Sequence, residues 1–225
     1  MRTHIEGGWV VAFNGTSHEV YEAGSVVFED DRIVHAGAAY SGPADTRIQA
    51  RGKLVSPGFI NTHVHTAGNA GDYLLLDMAR NDYRTSNYMG FAAPLKGKMT
   101  PPPPAAVAAI RAFVFLHALK NGTTTIIDVG GLRGDWDGYA KLVDELGVRV
   151  YGSPPFRDRD TYMDAQGRLT YDEDIGVGRE RLKEAVGFVK SFDKTAQGRL
   201  RGMLNAAQVE TCTEQLLREG RDAAR

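Results

Sequence analysis

The feature that most constrains the fold is a change of rhythm near residue 53. Before it, short apolar–polar alternations are punctuated by turn residues, as in Trp9-Val10-Val11-Ala12-Phe13. The runs 23–29 and 32–37 flank Asp30-Asp31, which reads as a hairpin connection. After it, strand-length apolar runs alternate with helix-length stretches. Strands are expected over 54–65, 123–129, 148–151 and 200–206, with helices over 105–120, 139–146, 179–192 and from 213 onward. Such alternation implies a parallel sheet with right-handed crossovers. The chain therefore reads as a β-rich segment, 1–53, followed by an α/β domain, 54–225.

Local punctuation agrees. Gly122 and Gly147 stand where helix C-termini need a left-handed residue. Thr211-x-x-Glu214 has the capping-box spacing ahead of Leu216-Leu217, and Pro101 to Pro104 form a stiff lead into the first helix.

Composition excludes several function classes. With 225 residues, 27 Lys and Arg against 28 Asp and Glu, and no basic cluster, neither nucleic acid nor an anionic membrane is an expected partner. No run approaches the roughly 20 apolar residues of a membrane span. The single cysteine, Cys212, rules out an intrachain disulfide, and the first residues lack the apolar stretch of a signal peptide, so a cytoplasmic protein is expected. Gly130-Gly131-Leu132-Arg133-Gly134 has neither the dinucleotide nor the P-loop spacing, so no nucleotide cofactor is expected.

The chemistry is concentrated in Pro57-Gly58-Phe59-Ile60-Asn61-Thr62-His63-Val64-His65. Side chains two apart on a strand share a face, about 6.5–7 Å apart at Cα. Both imidazoles can then reach one metal ion at about 2.0–2.1 Å. Two core histidines satisfied by backbone groups are the alternative.

This run resembles the first barrel strand of the amidohydrolase superfamily, in its cytosine deaminase and chlorohydrolase-like branch. The resemblance extends over essentially the whole chain. Residues 1–53 look like that family's N-terminal β-sandwich segment, Asn121-Gly122-Thr123-Thr124-Thr125-Ile126-Ile127-Asp128 like its second strand, and 208–217 like the stretch after its fourth. What the resemblance implies is the N-terminal half of a (β/α)8 TIM-type barrel. The implied activity is a metal-dependent hydrolase acting on non-peptide C–N bonds of a small cyclic or heteroaromatic substrate, for example hydrolytic deamination by a metal-bound hydroxide. The cofactor is one divalent metal, Zn2+ or Fe2+, since imidazole suits both.

In that family the remaining metal ligands and the acid/base glutamate come from later strands, beyond Arg225. Four βα units are half of an eight-stranded barrel, and the edges of a half barrel are prone to pair with another chain. The expected partners are a small-molecule substrate and either a second polypeptide completing the barrel or further copies of this chain. A non-catalytic truncated or regulatory half-barrel and a small α/β binding protein are the alternatives.

Other residues are assigned by position. Asp128 ends the second strand and either lines the pocket or caps the turn before Gly130. Asn205 and Gln208, at the end of the fourth strand, are candidate substrate contacts. Arg157 and Arg159 either hold an anionic group or are surface residues. The long segment 66–104, with Tyr73, Tyr83, Tyr88 and Phe91, reads as a cover over a planar ring or as a packing loop. His4, His18, His35 and His117 read as ordinary surface or packing histidines, and Cys212 has no histidine partner nearby and is not expected to be a nucleophile.

Overall fold

The computed structural model describes residues 1–66, 103–129, 134–164, 166 and 168–225. They fall into two compact units, Met1–Gly58 and Phe59–Arg225.

The first unit is one five-stranded sheet. Strands β1 (Arg2–Phe13), β2 (His18–Glu29) and β3 (Arg32–Gly37) run antiparallel in succession, and Asp30-Asp31 makes the expected hairpin turn with Asp30 at φ +52°. Aspartate tolerates the left-handed region better than most residues. On its other edge β1 takes two short parallel partners in turn, β4 (Thr46–Gln49) and then β5 (Leu54–Val55). The crossing between them passes over Gly8, where a Cβ would lie 2.8 Å from the Ala50 carbonyl oxygen and 2.9 Å from that of Lys53. Only glycine admits so close an approach.

Val10, Ala12, Val27 and Ala50 form the buried apolar positions of this unit. His4 lies among them, its Nε2 2.8 Å from Ser25 Oγ and its Nδ1 3.0 Å from Arg47 Nη1. It is a packing histidine.

The strand expected over 54–65 is in fact two. Leu54 and Val55 stay with β1, the ladder stops at Ser56-Pro57-Gly58, and β6 (Phe59–Val64) begins the second unit. Pro57 has no N–H to donate, so a ladder cannot continue through it.

The second unit follows the βα rhythm. After β6 come α1 (Pro104–Lys120), β7 (Thr123–Asp128), α2 (Trp136–Leu146), β8 (Arg149–Gly152), β9 (Pro155–Phe156), β10 (Arg159–Met163), β11 (Leu169–Glu173), α3 (Ile175–Phe192), β12 (Leu200–Gly202), β13 (Asn205–Ala206) and α4 (Glu214–Ala223). Strands β6, β7, β8 and β12 form an all-parallel sheet whose spatial order repeats their order in the chain. Val64, Ile126, Val150 and Leu200 of the sheet pack with Val114 and Phe115 of α1, Tyr139 and Val143 of α2 and Phe188 of α3. Trp136 meets Phe188 edge-on at 5.6 Å. A second cluster joins Phe156, Leu182, Ala185, Cys212 and Leu216.

The helix ends are as the local chemistry requires. Pro104 occupies the first turn of α1, and Gly122 (φ +82°) and Gly147 (φ +70°) take the left-handed positions after α1 and α2. Two expectations are corrected. The α4 cap is Thr213, whose Oγ1 accepts from the Leu216 N–H at 3.2 Å, while Thr211 sits in a 3-10 turn donating to the Gln208 carbonyl. The strand expected over 200–206 breaks at Met203-Leu204, and its second part, β13, pairs with β9. The third strand breaks at the same level, at Ser153-Pro154, where proline again removes a donor. The hairpin β10–β11 has no counterpart in the sequence reading, because residues 159–173 are rich in charged residues and sustain no long apolar alternation.

Candidate functional site

The site forms at the C-terminal end of β6. In the ladder with β7, Ile60 pairs with Thr125 and Asn61 with Ile126, but the next pair is Val64 with Asp128. Three steps on β6 match two on β7, so one extra residue is bulged out at Thr62-His63. Bulges re-aim side chains and are frequent beside functional sites. Here the Asn61 side chain accepts from the His63 backbone N–H at 3.2 Å, satisfying an amide at the irregularity.

Alternation about Val64 settles which face the two histidines take. Val64 is buried against the helices, so His63 and His65 emerge together on the opposite face. Both are exposed at the rim of the sheet. Their rings meet at 63° with centroids 5.0 Å apart, and the two Nε2 atoms stand 3.1 Å from each other. As a hydrogen bond this contact requires one ring to carry its proton on Nε2 and the other to lack it. Two ligands of one ion at about 2.0–2.1 Å have nitrogens separated by much the same span, about 3–3.5 Å. The pair thus fits a divalent ion that accepts imidazole, and it supplies two donors. Among the described residues no group of three His, Cys, Asp or Glu side chains is assembled.

Directly behind the pair lies a buried polar cluster. Asp128 is 1% exposed, and its carboxylate accepts from the Thr66 hydroxyl at 2.5 Å and the Tyr139 hydroxyl at 2.9 Å, with the Thr66 N–H 3.5 Å away. The Arg111 guanidinium lies over the Tyr139 ring, 5.3 Å from its centroid. Burial, and then the negative charge of Asp128, push the Tyr139 phenol well above its ordinary pKa. The pocket-lining reading of Asp128 is corrected by this placement: the carboxylate faces the helix layer, on the side of the sheet opposite His63 and His65.

The fourth-strand candidates behave differently. Asn205 donates from Nδ2 to the Val129 carbonyl at 2.6 Å, and Val129 donates its N–H to the Val64 carbonyl at 2.9 Å. The ends of β6, β7 and β13 are thereby stitched together, and Asn205 spends its amide on backbone. Gln208 accepts through its carbonyl from Thr211 and is half-buried. Arg157 pairs with Asp160 at 2.8 Å and Arg159 with Glu173 at 2.9 Å, so both are engaged by carboxylates. Cys212 is buried, its thiol pushed up by desolvation. The aromatic residues Tyr73, Tyr83, Tyr88 and Phe91 lie outside the described residues.

Sequence reasoning did not single out Thr66 or Tyr139. A Thr directly after a His-x-His pair, and an amphipathic helix with one tyrosine on its buried face after a strand-end aspartate, were the available signals.

The amidohydrolase family profile matches residues 54–225. The chain is 26% identical over 227 residues to 5'-deoxyadenosine deaminase from Methanosarcina mazei, covering 98% of this chain and 46% of that protein. It is 28% identical over 232 residues to 5-methylthioadenosine/S-adenosylhomocysteine deaminase from Shouchella clausii, covering 100% and 48%. Its fold matches the zinc-complexed atrazine chlorohydrolase TrzN from Arthrobacter aurescens TC1 with a TM-score of 0.66 at 19% identity, covering 95% of this chain and 48% of that one. The chain thus spans about half the length of the proteins it matches. Among the described residues no helix is long and apolar enough to cross a membrane.

Proposed function

Since the chain belongs to the amidohydrolase family, we propose that it carries the first-strand part of a divalent-metal centre, Zn2+ or Fe2+, in a hydrolase that cleaves C–N bonds of a small heteroaromatic substrate. The observation that carries this reading is the convergence of the His63 and His65 Nε2 atoms to 3.1 Å on the open face of the sheet.

The parallel sheet, with strands side by side in chain order and helices between them, supports reading residues 59–225 as the first four βα units of a (β/α)8 barrel. The single five-stranded sheet of the first unit supplies one layer of the sandwich segment that this reading assigns to residues 1–53. In a barrel of this type functional groups gather at the C-terminal ends of the strands, where His63 and His65 stand. Catalytic zinc takes about three protein ligands. Among the described residues no such third ligand is assembled with the pair, and in this reading the further ligands and the acid/base group come from elsewhere, on a continuation of the chain or on a second polypeptide.

When bound, the ion supplies Lewis acidity that activates water for attack at an electrophilic ring carbon. This chain contributes the neutral imidazoles, and the bulge and the Asn61 contact that aim them. Two relatives named 5'-deoxyadenosine deaminase and 5-methylthioadenosine/S-adenosylhomocysteine deaminase make a 6-amino purine nucleoside of the adenosine type the first substrate to test.

The test is metal content and ammonia release by the protein isolated from its own host with whatever chains accompany it. The expected result is about one metal per assembled site and ammonia release from a 6-amino purine nucleoside, both lost in His63→Ala. A metal content unchanged by His63→Ala overturns the metal assignment. Metal loss with no ammonia from any amino-heterocycle keeps the centre and overturns the deamination.

A further inference from the structure

We infer that Asp128, acting through Thr66 and Tyr139, is a positioning residue for the His63–His65 pair, an inference that rests on the metal-centre reading above.

Position 66 is the residue directly after His65, and its side chain enters the core. It is fully buried, and its hydroxyl is held 2.5 Å from Asp128 Oδ2. The same oxygen takes the Tyr139 hydroxyl at 2.9 Å from α2. Tyr139 is itself fixed, 2% exposed, edge-on to the Phe115 ring at 5.9 Å and under the Arg111 guanidinium. A carboxylate clamped between a helix and the neighbouring strand thus holds the backbone one residue past the second imidazole.

The need for such a clamp follows from the other face. His63 and His65 are exposed, and neither ring is packed into the core. Among the described residues their direction is set by the backbone at the end of β6 and by their contact with each other, and that backbone is irregular at His63. On the near side Asn61 braces the His63 amide; on the far side the Asp128 clamp braces residue 66. Two fixed points straddle the pair. Groups that orient metal ligands without touching the metal commonly change affinity 10–100-fold when removed.

The decisive variant is Thr66→Val, which keeps the β-branched shape and removes only the hydroxyl, with Thr66→Ser as the conservative variant that restores it. Tyr139→Phe tests the other side of the clamp. The readouts are Zn2+ affinity by competition with a chromophoric chelator, the visible absorption of the Co2+ form, and the thermal midpoint without metal. Expected are a roughly 10–100-fold weaker affinity and an altered Co2+ spectrum for Thr66→Val, with near-native values for Thr66→Ser.

Native affinity and spectrum in Thr66→Val, alongside loss of binding in His65→Ala, overturn the positioning role and leave the metal reading intact. Equal loss in Thr66→Ser and Thr66→Val overturns it as well, since the hydroxyl would then not be the active element. Binding that His65→Ala does not alter overturns the metal reading itself.

Discussion

The Tyr139 hydroxyl donates to the Asp128 carboxylate across 2.9 Å at a place from which solvent is excluded. A phenolate there would lose its hydration and face a carboxylate at hydrogen-bond distance. Both effects raise the Tyr139 pKa in the folded state, burial first.

The sign of the resulting pH dependence is fixed. In the unfolded chain tyrosine titrates near 10, whereas the folded protein keeps the proton above that value. The contribution of Tyr139 is fully present below about pH 10 and is lost as pH rises from there through the folded value. Urea midpoints from pH 8 to 11 should therefore fall more steeply for the native protein than for Tyr139→Phe. Parallel curves would show that Tyr139 titrates no differently once folded.

The metal-centre reading predicts a ligand-linked gain in stability. An ion that binds the folded state at about 100 times its Kd stabilises by about 2.7 kcal/mol. Zn2+ should raise the thermal midpoint of the native protein, a chelator should return it, and His65→Ala should show neither change. Because His65 is exposed, the metal-free midpoint of that variant should stay close to native. An equal rise in both proteins would place the ion elsewhere.

The Asn205 contact predicts a structural effect. Its amide donates to the Val129 carbonyl at 2.6 Å, and Val129 is bonded to the end of β6. Asn205→Ala removes a half-buried hydrogen bond and should cost about 1 kcal/mol in a denaturant titration. A neutral substitution would mean that the ends of β7 and β13 hold together without it.

Much of this was legible in the residues themselves. The βα rhythm after residue 53, the left-handed Gly122 and Gly147, and the shared face of His63 and His65 follow from local geometry that a sequence states directly. The breaks at Pro57 and Pro154 were legible too, had each proline been weighed against the ladder it interrupts. The side taken by Asp128 was not. Asp128 shares the helix-facing side of β7 with Ile126 two residues earlier, but a carboxylate in an apolar layer is unexpected until the Thr66 and Tyr139 hydroxyls that satisfy it are seen. Thr66, just past the end of β6, lies 62 residues away in the chain. The hairpin β10–β11 is joined by its backbone ladder in a stretch rich in charged residues, with Arg159 and Glu173 paired across it, so periodicity says little about it.

The packing of α3 against Asp158 gives the sharpest steric prediction. Gly178 lies in the first turns of α3, and a Cβ placed there would fall 2.5 Å from Asp158 Cβ and 2.9 Å from Leu216 Cδ2. Helix propensity alone favours Gly178→Ala by about 1 kcal/mol. The clash opposes it, because Asp158 cannot retreat. Its carboxylate is committed to the Thr213 N–H at 2.8 Å and the Thr213 hydroxyl at 2.5 Å, and its backbone carbonyl accepts from Asp174 at 2.8 Å. Overpacking of this kind typically costs about 1–3 kcal/mol. The clash should win, lowering the urea midpoint of Gly178→Ala and loosening the α4 cap at Thr213. A midpoint at or above native would mean that α3 can shift away from α4 without disturbing that cap.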